Sequence, residues 1–148
     1  MKTRLTALAI LSTALAAPAF AAGDAEAGAK VFNKCQTCHV VANEAGEVLA
    51  GKNAKTGPNL YGVIGRAAGT YPEFKYGESI VALGASGFAW TEADIVEYVA
   101  DPAKFLKARL GDDKAKSKMS FKLNNETDAA NVAAFLATFS AAPAAATE

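Results

Sequence analysis

The sequence predicts an all-α fold: four or five helices joined by long loops that regular secondary structure does not order. Three observations predict it. Four stretches combine helical spacing with end signals. The stretch from 40 to 71 is rich in Gly, Asn and Pro, without the sustained alternation of strands. The only two cysteines, Cys35 and Cys38, stand beside the only histidine, His39, in "CQTCH".

Taken in order, the chain opens with Lys2 and Arg4, an apolar run from Leu5 to about Ala17, then Pro18 and the small-x-small triplet Ala19-Phe20-Ala21. This is the pattern of a secretory signal peptide cleaved after Ala21. The run is shorter than the ~20 residues a spanning helix needs, so a retained anchor is the weaker reading. No membrane insertion is expected after cleavage. Residues 22–140 form one domain without repeat or linker, and the Ala-rich end, 141–148, is expected to be a disordered tail.

In "GDAEAGAKVFNKC", Asp24 can cap a helix whose Gly28, Val31, Phe32 and Cys35 share one face. A weaker short helix falls around Ser79 to Leu83. In "TEADIVEYVADP", Thr91 and Asp94 fit a capping box and Pro102 ends the run. In "DPAKFLKARLG", Asp101 caps, Pro102 takes the first position and Gly111 stops the helix. In "NNETDAANVAAFLATFS", Val132, Phe135, Leu136 and Phe139 repeat at helical spacing. Compact domains rarely hold a structureless loop as long as Val40 to Tyr71. A large buried apolar group would supply the missing core.

The chain has 15 basic and 15 acidic residues. Loss of Lys2 and Arg4 leaves a small acidic excess, which does not suggest a nucleic-acid partner. Export implies an oxidising compartment, where two cysteines could pair.

"CQTCH" admits several chemistries. A thioredoxin-like dithiol starts a helix after a buried strand, but the residues before Cys35 read as a helix's last turn. Structural zinc needs four ligands, and the chain has no further Cys or His. A Cys35–Cys38 disulfide would close a tiny loop and leave His39 unexplained. C-x-x-C-H has a direct reading as c-type haem attachment: two thioethers fasten the porphyrin and the adjacent His39 reaches the iron.

With no second histidine, the sixth ligand follows by elimination. Met1 goes with the leader, leaving Met119 as the single methionine of the mature chain. Filling a core gap is the commoner fate of methionine, but beside a haem Met119 is the candidate axial ligand. Two filled axial positions leave one-electron transfer. The alternative is a haem protein with an open iron site that binds or reduces a small ligand.

These motifs, with "KTGPNLYGVIGR", "TYPEFKY", "FAWTEADIVEYVADP", "KMSF" and "AAFLATF", resemble a class I c-type cytochrome, nearest the bacterial cytochrome c2 type. The resemblance spans Gly23 to Phe139. It implies the cytochrome c fold, wrapped round one covalently bound haem c, in a carrier rather than an enzyme. It also implies roles for individual residues. The Pro58 carbonyl would accept from the His39 ring; Arg66, Tyr76 and Trp90 would surround the haem propionates; Tyr98 would lie near the Met119 sulfur; Gly28 and Phe135 would meet where the first and last helices cross. Two stretches are longer than in the shortest members: His39 to Pro58, with "VVANEAGEVLAGKNA", and Pro102 to Met119. Ser117 stands where family members often have Thr, which weakens the case for a propionate contact there.

Charge is uneven. Lys104, Lys107, Arg109, Lys114, Lys116, Lys118 and Lys122 are opposed only by Asp112 and Asp113. A solvated loop is the ordinary reading of such a run. As the segment carries Met119, these lysines are expected to rim the haem edge and steer it onto acidic partners, with Lys52, Lys55 and Lys75 possible extensions of the rim. The expected protein is a soluble, monomeric periplasmic carrier. Its implied partners are cytochrome bc1 and a photosynthetic reaction centre or cytochrome oxidase.

Overall fold

The computed structural model describes residues 23–140; the expected leader (1–21) and tail (141–148) lie outside the described residues. Among the described residues there are five helices: α1 (Ala25–Val31), α2 (Glu78–Ala85), α3 (Glu92–Ala100), α4 (Pro102–Leu110) and α5 (Glu126–Ala137). Four of them start or end on chemistry visible in the sequence. Asp24 accepts from the amides of Glu26 and Ala27 at the head of α1. Thr91 and Asp94 form the expected capping box on α3. Asp101 accepts from the Lys104 amide and Pro102 opens α4, which stops at Gly111 in the left-handed region, φ 62°. Asn125 accepts from the Asp128 amide to start α5. The weak expectation around Ser79 becomes the full α2. The first helix is shorter than its spacing suggested, because Phe32–Lys34 tighten into a 3-10 turn that delivers Cys35.

The loop from 40 to 71 contains an element that the absence of alternation did not predict. Val40–Ala42 (β1) and Val48–Gly51 (β2) pair antiparallel, with a register irregularity between Val41 and Ala42. Asn43 makes the turn: its Oδ1 accepts from the amides of Ala45 and Glu47, and Gly46 takes φ 81°. The strands are three and four residues long, too short for alternation to register, so the turn chemistry was the available signal.

α1 crosses α5 at Gly28. A Cβ on Gly28 would overlap the Asn131 carbonyl and lie 2.7 Å from Phe135 Cβ. The expected meeting of Gly28 and Phe135 is therefore the close approach that sets this crossing. Phe32 packs on Phe135 at 5.5 Å between ring centroids, and Lys34 Nζ bonds Asp128 at 2.7 Å across the two helices. A second aromatic group, Phe88, Trp90, Tyr98 and Phe105, joins α3 to α4 and to the segment before them. Asp94, only 8% exposed, accepts from Thr91 and from Arg109 Nη2 at 2.7 Å. The Arg109 guanidinium also lies 4.9 Å from the centroid of the Phe105 ring. The core of Val31, Phe32, Val63, Ile95, Leu106, Val132 and Leu136 is shared among helices and loops, and it leaves a cavity between them.

Candidate haem site

The cavity encloses about 510 Å³ and is largely apolar. Cys35, Cys38 and His39, clustered in sequence, line it together with the distant Met119. The end of the 3-10 turn places the first three. His39 and Cys38 donate backbone N–H groups to the Cys35 carbonyl, and the Gly57 amide bonds the Cys38 carbonyl at 2.7 Å. This last bond brings "TGPNL" against the motif.

His39 Nδ1 stands 2.9 Å from the Pro58 carbonyl oxygen. A carbonyl only accepts, so Nδ1 carries the proton and Nε2 keeps its lone pair. Burial lowers the pKa of the imidazole, and the Pro58 bond opposes this in part. The result is a neutral, oriented ring, the state a metal requires. Gly57 makes room for it, because a Cβ there would lie 2.6 Å from Nδ1.

No disulfide joins Cys35 to Cys38. Burial pushes the Cys35 pKa up to about 11, with Lys34 lowering it and Cys38 raising it. A redox dithiol needs a depressed pKa to supply thiolate, so the site is unsuited to that chemistry. Among the described residues no group of three or more His, Cys, Asp or Glu could hold a metal ion, which leaves a zinc site without its remaining donors.

Arg66, Tyr76 and Trp90 also line the cavity. Residues 65–68 run alongside 88–90: the Trp90 amide donates to the Arg66 carbonyl at 3.0 Å and the Gly65 amide to the Trp90 carbonyl at 2.7 Å. This pairing sets Arg66 beside Trp90. The guanidinium donates to the carbonyls of Asn59 (2.9 Å) and Tyr61 (3.1 Å). Burial lowers its pKa, while Tyr76 and Tyr71 oppose the shift. Burial raises the pKa of the Tyr76 phenol, and Arg66 offsets part of that rise.

The Met119 segment is held by hydroxyls. Ser117 Oγ accepts from the Met119 amide at 3.1 Å and lies 3.3 Å from the Tyr98 hydroxyl. The polar partner of Tyr98 is thus Ser117, two residues before the methionine. The Lys116 amide bonds Ser79 Oγ, and Lys118 Nζ donates to the Lys75 carbonyl at 2.7 Å. These bonds fasten the segment to the first turn of α2 and to the stretch before it.

Asn59 was not foreseen. Its side chain donates to the Ala42 carbonyl at 2.7 Å and accepts from the amides of Ala42 and Tyr61. It clasps β1 to the loop that carries Pro58, while its own carbonyl receives Arg66. The signal was only the turn-forming Asn after Pro58.

The exposed lysines divide. Lys104, Lys107, Lys114 and Lys116 are exposed. Lys122 Nζ is paired with Asp101 at 2.6 Å, and Arg109 with Asp94 and Glu97. Phe121, 40% exposed, lies on the lining of the same cavity.

A helical shell closed on an apolar cavity, with C-x-x-C-H and a distant methionine in its lining, defines the protein as a class I c-type cytochrome. The chain is 61% identical over 139 residues to cytochrome c2 of Rhodobacter capsulatus, covering 93% of this chain and 98% of that one. With cytochrome c2 of Cereibacter sphaeroides it is 57% identical over 138 residues, covering 92% and 95%. The chain belongs to the cytochrome c2 family, electron carriers with one covalently attached haem c per chain. A crystal structure of Rhodobacter sphaeroides cytochrome c2 superposes with a TM-score of 0.78 at 58% identity, covering 82% of this chain and 99% of that one. Ferric cytochrome c-550 of Paracoccus versutus gives a TM-score of 0.74 at 46% identity, covering 80% and 99%. No protein-family model matches the chain.

Proposed function

We propose that the protein is a monomeric periplasmic one-electron carrier, not an enzyme, running between cytochrome bc1 and a photosynthetic reaction centre or a terminal oxidase. The observation that carries this reading is the lining of one apolar cavity by Cys35, Cys38, His39 and Met119. Cys35 and Cys38 would hold the haem through thioethers, with His39 Nε2 and Met119 sulfur as axial ligands. When bound, the haem supplies one-electron exchange between ferrous and ferric iron.

The chain's own residues bind, orient and exclude water. The Pro58 carbonyl fixes the His39 tautomer and ring plane. The Met119 thioether, a soft donor, would favour the ferrous state and raise the potential. Arg66, Tyr76 and Trp90 would meet the haem carboxylates, where buried negative charge needs donors. Tyr98 and Ser117 hold the Met119 segment in place. His39 and Met119 together would hold the iron from the chain and leave no place for an external ligand, which opposes the open-iron alternative. Lys104, Lys107, Lys114 and Lys116 would steer acidic partners; Lys118 and Lys122 belong to the same rim, though their ammonium groups also bond Lys75 and Asp101. The basic start and apolar run of residues 2–17 support export to the periplasm. Among the described residues no helix is long and apolar enough to cross a membrane.

Met119→Ala tests the ligand assignment. The variant is expected to open the sixth position, bind CO rapidly when reduced and lose potential; an unchanged potential would refute the assignment. Rapid CO binding by the unaltered protein at neutral pH would favour the open-iron alternative instead.

A further inference from the structure

Arg66 stands in a wall between two spaces. It lines the apolar cavity and also an outer, more polar groove of about 590 Å³, and Gly57, Pro58 and Phe74 share that wall. The edges of the guanidinium are fixed by the Asn59 and Tyr61 carbonyls. A remaining face meets the ring of Tyr71, whose centroid is 5.4 Å from Cζ. Tyr71 lines the outer groove. Its position follows from the local turn: Gly69 takes φ 70° and Thr70 Oγ1 donates to the Ala67 carbonyl at 2.8 Å.

We infer that Tyr71 is a positioning residue that caps the groove side of the Arg66 guanidinium, keeps water from it and thereby holds the reduction potential up. The inference rests on the proposed placement of Arg66 beside the haem carboxylates. A guanidinium attracts the negative face of an aromatic ring, more strongly where water is excluded. A fixed positive charge in low dielectric favours the reduced, less positive iron, whereas water in the groove would screen it. The phenol hydroxyl has no part in this argument. The ring alone is required.

The test uses the haem-loaded protein and three variants: Tyr71→Ala, Tyr71→Phe and Arg66→Gln. Two quantities are read, the reduced-to-oxidised ratio at a fixed ambient potential and the exchange rate of the Arg66 Nε–H by NMR. Tyr71→Ala is expected to lower the ratio by roughly two- to fivefold, the scale of a partly desolvated cation–π contact, and to speed the exchange. Tyr71→Phe is expected to change neither. Tyr71 is half-buried in a surface loop, but should Ala disturb that loop, Tyr71→Leu keeps the bulk without the ring and should still lower the ratio relative to Phe. If Leu equals Phe, or if Ala leaves both readings unchanged while Arg66→Gln lowers the ratio, the inference is overturned and the carrier reading stands. A wild-type ratio in Arg66→Gln overturns the placement of Arg66 and the inference with it.

Discussion

Tyr98 and Ser117 show how single side chains hold the methionine segment at a cost paid in pH range. Burial raises the pKa of the Tyr98 phenol above its ordinary 10.0, and the hydrogen bond with Ser117 works against that rise. A group whose folded pKa lies above its unfolded value contributes stability below the unfolded value and loses it as pH rises through the folded one. Tyr98 therefore supports the fold up to about pH 10 and weakens it in more alkaline solution. Tyr98→Phe removes the ionisable group. Denaturant midpoints followed from about pH 8 to about pH 11 should fall less steeply in the variant than in the parent, and equal slopes would show that Tyr98 is not responsible. At the same scale, Gly57 carries no sequence signal of its role. Its reason is the His39 ring beside it, and no local signal carries that information.

Helix ends and helix crossings carry the argument at the level of elements. The caps on α1, α3, α4 and α5 were legible because capping is chemistry between residues three or fewer apart. What a cap also touches was not legible. Asp94 completes its box with Thr91 and receives Arg109 from α4 as well. Thr91→Ala should therefore cost about 1 kcal/mol, and Asp94→Ala more, about 2 kcal/mol, since the buried carboxylate's bond to Arg109 is lost as well while Arg109 keeps Glu97. Equal losses by denaturant titration would mean that the Arg109 contact contributes nothing. The α1–α5 crossing gives a second test. Gly28→Ala places a methyl against the Asn131 carbonyl and should destabilise the protein by about 1–3 kcal/mol; a denaturant midpoint equal to the parent's would show that the crossing yields without cost. The hairpin of β1 and β2 was missed at this scale, because a strand of three residues has no period to read.

Across the whole molecule, charge and cavity divide the work. The core residues surround a space that no described side chain fills, and the long loops close round it. The basic segment from Lys104 to Lys122 surrounds Met119 in sequence, but the structure withdraws part of it into ion pairs. Arg109 and Lys122 are engaged with Asp94 and Asp101. Charge reversal at Lys104, Lys107 and Lys114, which are exposed, should slow the reaction with an acidic redox partner by roughly tenfold or more at low salt, with the difference shrinking as salt screens it. Stopped-flow rates that do not change with ionic strength would remove the steering role.

By itself the sequence determined the helices, their caps, the haem-attachment motif and, by elimination, the candidate sixth ligand. These depend on residue type and on neighbours a few positions away. The tertiary structure alone decided that Asn59 clasps the hairpin to the Pro58 loop, that Tyr98 and Ser117 share a hydrogen bond, that Gly57 clears space for His39, and that Tyr71 lies over Arg66. Three of those relations join residues 17 to 19 positions apart only once the core has closed, the fourth depends on which way a loop turns, and neither is written in local periodicity.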